Sequence, residues 1–440
     1  MADTSTQPDR FGFLHIDLNS FFASVEQQMN PEYRNRPLAV VPTMADTTCC
    51  IAASYEAKAL GIKTGTQVGE AKRLCPEIIL VAGNHDHYAE YSHKIAAAVD
   101  RCCPVAHTPS IDEMVCQLMG REQEPPRARR IALDIKQAIK DDVGETLRCS
   151  IGMAPNRYLA KIASDMQKPD GLIGLLPSQL PRAIAHLELR DLPGVGAKTE
   201  VRLNTKGVRT MPQLLALDRG EMHGLWDSVW GDRLYHWLRG GDTGDDGAPV
   251  PSELQKSLGH SHVLGPEFRS EQGAWSVAHK LLHKAAMRLR MEHFYTGSLA
   301  VTIRYQLTRE QAERMKAKRH TSGIKHSGWG MEARFRECQD TLSLLEALKS
   351  LWQQRPQGEG FERPFFVGVT LRNLVPESEH QESLFGAEDK RGELSATMDK
   401  LNLKYGHTTL HFAGMLAARE TAPTRIAFTQ IPVQYGVDYM

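Results

Sequence analysis

No run of about 18 apolar residues occurs in the 440-residue chain, and its polar start, MADTSTQPDR, has no apolar core of the kind a secretory leader needs. No membrane span and no export are therefore expected, which places the protein in the cytoplasm. Net charge is missing as well. The 53 Lys and Arg balance 53 Asp and Glu, which would argue against a polyanionic partner if the charges were spread evenly. Cysteine occurs eight times but never as C-x-x-C, and the adjacent pairs Cys49–Cys50 and Cys102–Cys103 make neither a zinc nor a redox site. They read as reduced, packed thiols. At 440 residues the chain exceeds one ordinary core and reads as roughly two to four globular domains.

The stretch FLHIDLNSFFASVE (13–26) organises what is present. It begins as an apolar strand, sets Asp17 at the strand's end, and continues as an amphipathic helix with Phe21, Phe22 and Val25. Taken alone, Asp17 reads as a solvated turn residue, with Asn19 or Ser20 capping the helix. A second acidic element, PSIDEM (109–114), changes the balance by setting Asp112 and Glu113 side by side. Three carboxylates from two segments suit a hard divalent cation, since Mg²⁺ takes oxygen ligands and prefers one or two carboxylates plus substrate phosphates. Successive strand residues point to opposite faces, so Asp112 and Glu113 serve one site only at a strand end or hairpin tip, as Pro109 and Ser110 suggest. Two such cations roughly 3.5–4 Å apart clamp the attacking and leaving oxygens of an in-line phosphoryl displacement.

The chain in order supports that placement. PLAVVP (37–42) reads as a strand, and CCIAASYEAKALGI (49–62) as a strand running into a helix with Tyr55 and Lys58 on one face. A phosphate site and a routine amphipathic pair both fit those two residues. Residues 63–84 end a helix at Pro76 and return as a strand. His85 and His87 fall where a helix starts with Asp86 as its cap, so a metal reading is set aside. A helix over 126–141 precedes a strand at 147–154. Strand, helix, hairpin, helix, strand is a ferredoxin-like order, which brings Asp17 beside Asp112 and Glu113. In AKIASDMQKPDG (160–171), Lys161 is expected to cover a helix surface, whereas Lys168 stands before Pro169, where the helix must end. LRDLPGVGAKTEVRL (189–203) reads as helix, hairpin, helix, with Gly194, Gly196 and Lys198 offering backbone N–H groups and charge to a DNA backbone; a plain helix-turn-helix connection fits equally. GGDTGDDGAPVPS (240–252) is the clearest linker.

Beyond it the charge balance breaks. Residues 256–336 hold 15 Lys and Arg against 6 Asp and Glu, the footprint of a polyanion or, more blandly, a solvated basic face. The segment reads as a helix (270–291), strands at 298–307, 329–338 and 365–374, and a second helix (340–354). On it, Arg304, Arg334 and Arg336 with the loop residues Lys316 and Lys318 would line a duplex without reading its sequence. A further helix is expected at 393–405.

HIDLNSFFASVE (15–26), SYEAKALGI (54–62), SIDE (110–113) and AKIASDMQKPDG (160–171) follow one another in the order and spacing of the Y-family translesion DNA polymerases. From about residue 11 to about residue 373 the chain resembles the bacterial DNA polymerase IV type. The resemblance implies an α+β, multidomain, right-hand-like fold. Its parts are a ferredoxin-like palm (11–29 and 85–175), small fingers (30–84), a helical thumb with a helix-hairpin-helix (176–240), a linker (241–255), an α/β little finger that binds DNA (256–374) and a C-terminal tail (375–440). It implies that Asp17, Asp112 and Glu113, with the backbone carbonyl of Leu18, hold two Mg²⁺ ions, for which Mn²⁺ substitutes. One ion would lower the pKa of the primer 3′-hydroxyl and the other would hold the triphosphate. Phe21, Phe22, Tyr55, Lys58 and Lys168 would contact the incoming nucleotide. The family usually has Arg where Lys58 stands, so charge is kept and the planar fork lost. Phe22 would be the steric gate that excludes a 2′-hydroxyl, although Phe21 and Phe22 face different ways and one must pack inward. QESLF (381–385) resembles a peptide that docks on the sliding clamp, through Gln381, Leu384 and Phe385.

The expected activity is template-directed, low-fidelity DNA synthesis past damaged bases by a monomer, with primer-template DNA, deoxynucleoside triphosphates and the sliding clamp as partners. No further acidic cluster suggests a proofreading exonuclease. The alternatives are a catalytically silent, clamp-associated DNA-binding protein on the same scaffold, and a nucleotidyl cyclase. The first would have no need to keep three like charges together, and the second no use for the basic C-terminal module.

Overall fold

The computed structural model describes residues 9–46, 48–241, 256–308, 310–311, 326–358, 360–381, 389–406, 408–419 and 421. Most of the expected linker, Lys316, Lys318, Leu384 and Phe385 lie outside the described residues. Two compact units are present, one within 9–241 and one within 256–421.

In the first unit, β1 (Phe13–Leu18) leads into α1 (Phe21–Met29). A small subdomain follows, with β2 (Leu38–Val41), β3 (Ala52–Ala53), α2 (Tyr55–Ala59), α3 (Val68–Leu74) and β4 (Ile79–Ala82). Its own core is made largely of small side chains, Ala39, Val41, Ala53, Ala57, Val68 and Ala71. The chain then returns through α4 (His85–Cys102), β5 (Val105–Ser110), β6 (Glu113–Gln117), α5 (Pro125–Asp142), β7 (Cys149–Ala154), α6 (Arg157–Met166) and β8 (Leu172–Gly174). The resulting five-stranded sheet has the order β5-β6-β1-β7-β8, the ferredoxin-like arrangement with one added strand. β1 lies at its centre and is buried on both faces. Leu14, Ile16 and Leu18 pack with Ile95, Val99, Ile131 and Ile135 of α4 and α5, while Phe13 packs with Leu159, Ile162 and Ala163 of α6. The two-residue period of a strand therefore turns His15 and Asp17 toward α6.

Four short helices close this unit: α7 (Ala197–Thr205), α8 (Met211–Ala216), α9 (Arg219–Trp226) and α10 (Val229–Trp237). They pack on the outer side of α6, where the Tyr158 ring stacks on Trp237 with centroids 5.2 Å apart. The helix expected before the PGVG hairpin is a single 3-10 turn, Leu189–Asp191, because Pro193 leaves no room for a longer one.

The second unit is a four-stranded antiparallel sheet, β11-β10-β12-β9, covered on one face by helices. Its elements are β9 (Ser257–Val263), α11 (Glu271–Met291), β10 (Phe294–Gln306), β11 (His326–Cys338), α12 (Thr341–Gln353) and β12 (Pro364–Pro376). β9, SLGHSHV, is a strand that apolar alternation does not announce; its ladder with β12 from Phe366↔Val263 to Arg372↔Ser257 supplies what its side chains do not. The segment after β12 adds α13 (Asp389–Tyr405) and a 3-10 turn (Ala413–Ala418). α13 docks through polar groups: Arg290 of α11 holds Asp399 with two bonds of 2.6 and 2.9 Å, and the buried Ser395 hydroxyl accepts from the Thr341 amide. Among the described residues no helix is long and apolar enough to cross a membrane.

Candidate active site

Asp17 stands directly opposite Glu113 on β6 and Ser150 on β7. Partners in such a ladder share a face, so the Glu113 side chain also turns toward α6. Ser110 pairs with Glu113 across a two-residue turn, Ile111–Asp112. The turn is anchored by Ile111, which is fully buried, and it frees Asp112 from strand alternation. The Asp112 carboxylate accepts from Ser110 Oγ at 2.6 Å, and its carbonyl accepts from the Leu18 amide at 2.9 Å. The hairpin tip thus carries both acids beside the end of β1, with the Leu18 backbone against Asp112.

The buried Asp17 is held by two lysines. Its Oδ1 accepts from Lys168 Nζ and its Oδ2 from Lys161 Nζ, each at 2.7 Å. Lys161 Nζ also lies 2.6 Å from Glu113 Oε1, and Asp165 on α6 completes the cluster at 3.2 Å from Lys161 and 2.8 Å from Lys168. Burial alone would lower both lysine pKa values, but the charges of Asp17 and Asp165, and for Lys161 also Glu113, outweigh it and raise them. Burial likewise works to raise Glu113, yet His15 and Lys161 hold it well below the usual carboxylate range. Asp112 goes the other way. Burial pushes its carboxyl up, and the like charges of Asp17 and Glu113 add to this against the opposing Ser110 bond.

Ligand atoms of His15, Asp17 and Glu113 lie within 4.8 Å of one another. The third member of that trio is therefore His15, two residues before Asp17 on the same face, rather than Asp112, which sits at the turn within reach of their charges. Carboxylate oxygens dominate the donor set, as a hard cation requires. Lys161 does not cover a helix surface as expected; the α6-facing side of β1 draws its ammonium between two acids. Lys168 lies beyond the end of α6 at Met166, so no helical spacing links the two lysines, and pattern alone does not separate a lysine facing solvent from one facing buried acids.

Tyr55 and Lys58 share a face of α2, whose N-cap Ser54 accepts from the Ala57 amide. Lys58 Nζ lies 4.4 Å from the Tyr55 ring centroid and donates to Ser20 Oγ at 2.7 Å. Burial and the Lys168 charge lower Lys58 against the pull of Asp17, so Lys58, Lys168 and Asp17 lie within one electrostatic neighbourhood. Ser20 is the N-cap residue of α1 but has φ 51° and makes no side-chain cap bond; the Asn19 side chain turns away to Ser150 and Asp170. The expected cap is absent at both positions. Phe22 is 7% exposed and stacks on Tyr88 with centroids 4.2 Å apart, while Phe21 is buried beside it. His85 lies edge-on to Phe22 and Tyr88, and α4 is capped by Asn84, which accepts from the Asp86 amide, rather than by Asp86.

Gly194 has φ 88°, the left-handed conformation that lets the chain turn into α7, and Gly196 and Lys198 are exposed at that helix's start. In the second unit, Arg304 and Arg334 are exposed on the sheet face opposite the helices, Arg304 over the Phe366 ring at 4.7 Å, and Arg336 is exposed beyond a register shift. Ser298 pairs with both Arg334 and Arg372, so Arg372, which no sequence pattern singles out, belongs to this face. Gln381 is exposed at the edge of the described residues.

Residues 16–165 match the impB/mucB/samB family and residues 255–384 match its C-terminal domain. DNA polymerase IV of Moorella thermoacetica is 31% identical over 402 residues, covering 91% of this chain and 95% of the relative. DNA polymerase IV 1 of Bacillus subtilis is 30% identical, covering 93% of this chain and 94% of the relative. Among solved structures, a Y-family DNA polymerase chimera of Dbh and Dpo4 superposes with TM-score 0.66 at 22% identity, over 83% of this chain and 99% of the other. An insertion ternary complex of Dbh DNA polymerase superposes with TM-score 0.53 at 21% identity and the same coverage. These two likenesses speak to the fold, which is the expected α+β, multidomain polymerase fold. Both parts of the family pattern and relatives of this identity over nearly the whole length place the chain in the impB/mucB/samB family, the Y-family DNA polymerases of DNA polymerase IV type.

Proposed function

We propose that this protein is a DNA-directed DNA polymerase that extends a primer 3′ end with deoxynucleotides on damaged as well as intact templates. The observation that carries the reading is the convergence of Asp17 and Glu113 from neighbouring strands, with Asp112 on the adjoining turn. In this reading residues 11–29 and 85–175 form the palm, 30–84 the fingers, 176–240 the thumb and 256–374 the little finger, joined by 241–255. Asp17, Asp112, Glu113 and the Leu18 carbonyl hold two Mg²⁺ ions. Bound there, the ions supply acidity to the primer hydroxyl and charge stabilisation to the leaving pyrophosphate. Tyr55, Lys58 and Lys168 receive the triphosphate, Lys168 exchanging its bond to Asp17 for one to phosphate. Phe22, backed by Tyr88, sets the space beneath the sugar. Arg304, Arg334 and Arg336 with Lys198 hold the duplex backbone, and Gln381–Phe385 engages the sliding clamp. The protein acts as a cytoplasmic monomer.

The relatives' printed name, DNA polymerase IV, supports the reaction class. The test is primer extension with Mg²⁺ by purified wild type and Asp112→Ala. The wild type is expected to extend a primed template, and the variant to lose about a thousand-fold in rate while binding the same template with unchanged affinity. Extension by the variant at the wild-type rate would remove the mechanism.

A further inference from the structure

We propose that Asn19 and Ser150 are positioning residues that fasten the 167–171 loop to the sheet and thereby set Lys168 at its distance from Asp17. This rests on the reading of Lys168 as a phosphate ligand. Asn19 is 3% exposed and Ser150 fully buried, and a buried amide and hydroxyl stay only where their bonds are made. Apart from the bonds they make with each other and one of 3.5 Å from Asn19 Nδ2 to the Asp17 carbonyl, their bonds go to one loop. Asn19 Oδ1 accepts from the Asp170 amide at 2.7 Å, and Asn19 Nδ2 donates to Ser150 Oγ at 3.2 Å. Ser150 Oγ accepts from the Gly171 amide at 3.1 Å and donates to the Gln167 carbonyl at 3.0 Å. Three backbone groups of a five-residue loop thus end on two side chains.

The loop has little slack of its own. A Cβ at Gly171 would lie 1.9 Å from the Gln167 carbonyl oxygen, so only glycine closes it. From outside, Lys136 Nζ donates to the Asp170 carbonyl at 2.9 Å and to its carboxylate at 2.7 Å. The two anchors are also tied to Asp17 by the sheet itself. Ser150 is its direct partner on β7, and Asn19 follows it by two residues. The carboxylate end of β1 and the lysine loop are therefore pinned by the same pair of side chains. A lysine stem is flexible, so where its ammonium spends its time depends on where its backbone is held. Loosening the loop spreads Lys168 over positions from which it does not reach phosphate, which weakens nucleotide binding more than it slows the step after binding.

The experiment is single-nucleotide insertion on a fixed primer-template by Asn19→Ala, Ser150→Ala, Lys168→Ala and the double variant Asn19→Ala/Lys168→Ala, with thermal unfolding of each. Asn19→Ala and Ser150→Ala are each expected to raise the KM for the incoming nucleotide about ten-fold with kcat within about three-fold, a split that lost stability alone does not produce. Asn19→Asp, which keeps the acceptor for the Asp170 amide, is expected to recover part of the KM. In the Lys168→Ala background, Asn19→Ala should add less than about two-fold, because the two act on one contact. If Lys168→Ala raises KM while Asn19→Ala does not, or if Asn19→Ala multiplies KM equally in both backgrounds, the positioning role is overturned. If Lys168→Ala leaves KM unchanged, the phosphate reading itself falls, and this inference with it.

Discussion

Asp17 takes both of its acceptor bonds from lysines that sequence spacing treats differently. Lys168 stands at a helix end before Pro169, where a free lysine is legible. Lys161 sits within an amphipathic helix, where a lysine pointing to solvent and one pointing to buried acids look alike. What distinguishes them is the alternation of β1 on the neighbouring strand, a fact of tertiary pairing. Phe22 illustrates the same limit. Phe21 and Phe22 cannot be told apart by pattern, and both are buried; the difference is that Phe22 lies against Tyr88, whose hydroxyl donates to the buried Glu26 at 2.6 Å. If that ring sets the space beneath the sugar, Phe22→Leu should raise ribonucleotide insertion relative to deoxyribonucleotide by at least about ten-fold, measured as the ratio of kcat/KM values. An unchanged ratio would put the gate elsewhere. The variant should remain folded, since Leu keeps a branched apolar side chain in place and costs less than the roughly 3–5 kcal/mol of truncating a buried Phe to Ala.

At the scale of elements, the strands and long helices were legible because their apolar positions recur at the right period. β1, the hairpin around Asp112 and Glu113, α4, α5 and α11 all follow from residue order. Three features did not. β9 has one buried Leu among Ser, Gly and His, and is a strand because β12 offers it a ladder. The first arm of the PGVG hairpin is a 3-10 turn because proline intervenes. The role of α13 was hidden because it docks through Arg290–Asp399 and Ser395 rather than through an apolar stripe. The open face of the second sheet carries its charge on alternate residues, with Glu332 holding Arg372 at 3.0 Å. Contacts of exposed arginines with phosphates release counterions, so Arg334→Ala with Arg336→Ala should weaken primer-template binding at every sequence alike. The slope of log affinity against log salt should fall by about two. An unaltered slope would detach this face from DNA.

For the whole molecule, the balanced net charge conceals a basic segment on an otherwise acidic chain, and local counting rather than the total revealed it. The second unit also holds partly buried histidines, His260, His279 and His283 among them. Burial, with Lys284 and Arg288 nearby, pushes His260 down to about 4; burial pushes His279 down to about 4; burial, with His279, Arg290 and His411, pushes His283 down to about 3. The unfolded chain binds these protons near pH 6.5 and the folded chain does not, so their contribution is whole above about pH 6.5 and is lost as pH falls toward 4. Hydrogen exchange in α11 should therefore report a falling opening free energy from pH 6.5 to 4.5. A flat profile would mean that these rings are not held neutral.

The most direct test of the shared carboxylate site is a crystal of the protein with primer-template, incoming nucleotide and Mn²⁺, with the ions located by anomalous scattering. The account predicts scattering peaks bridged by Asp17 and at least one of Asp112 and Glu113, at oxygen distances of about 2.0–2.3 Å. Ions bound only by the nucleotide, with Asp17 and Glu113 still held by Lys161, would contradict it.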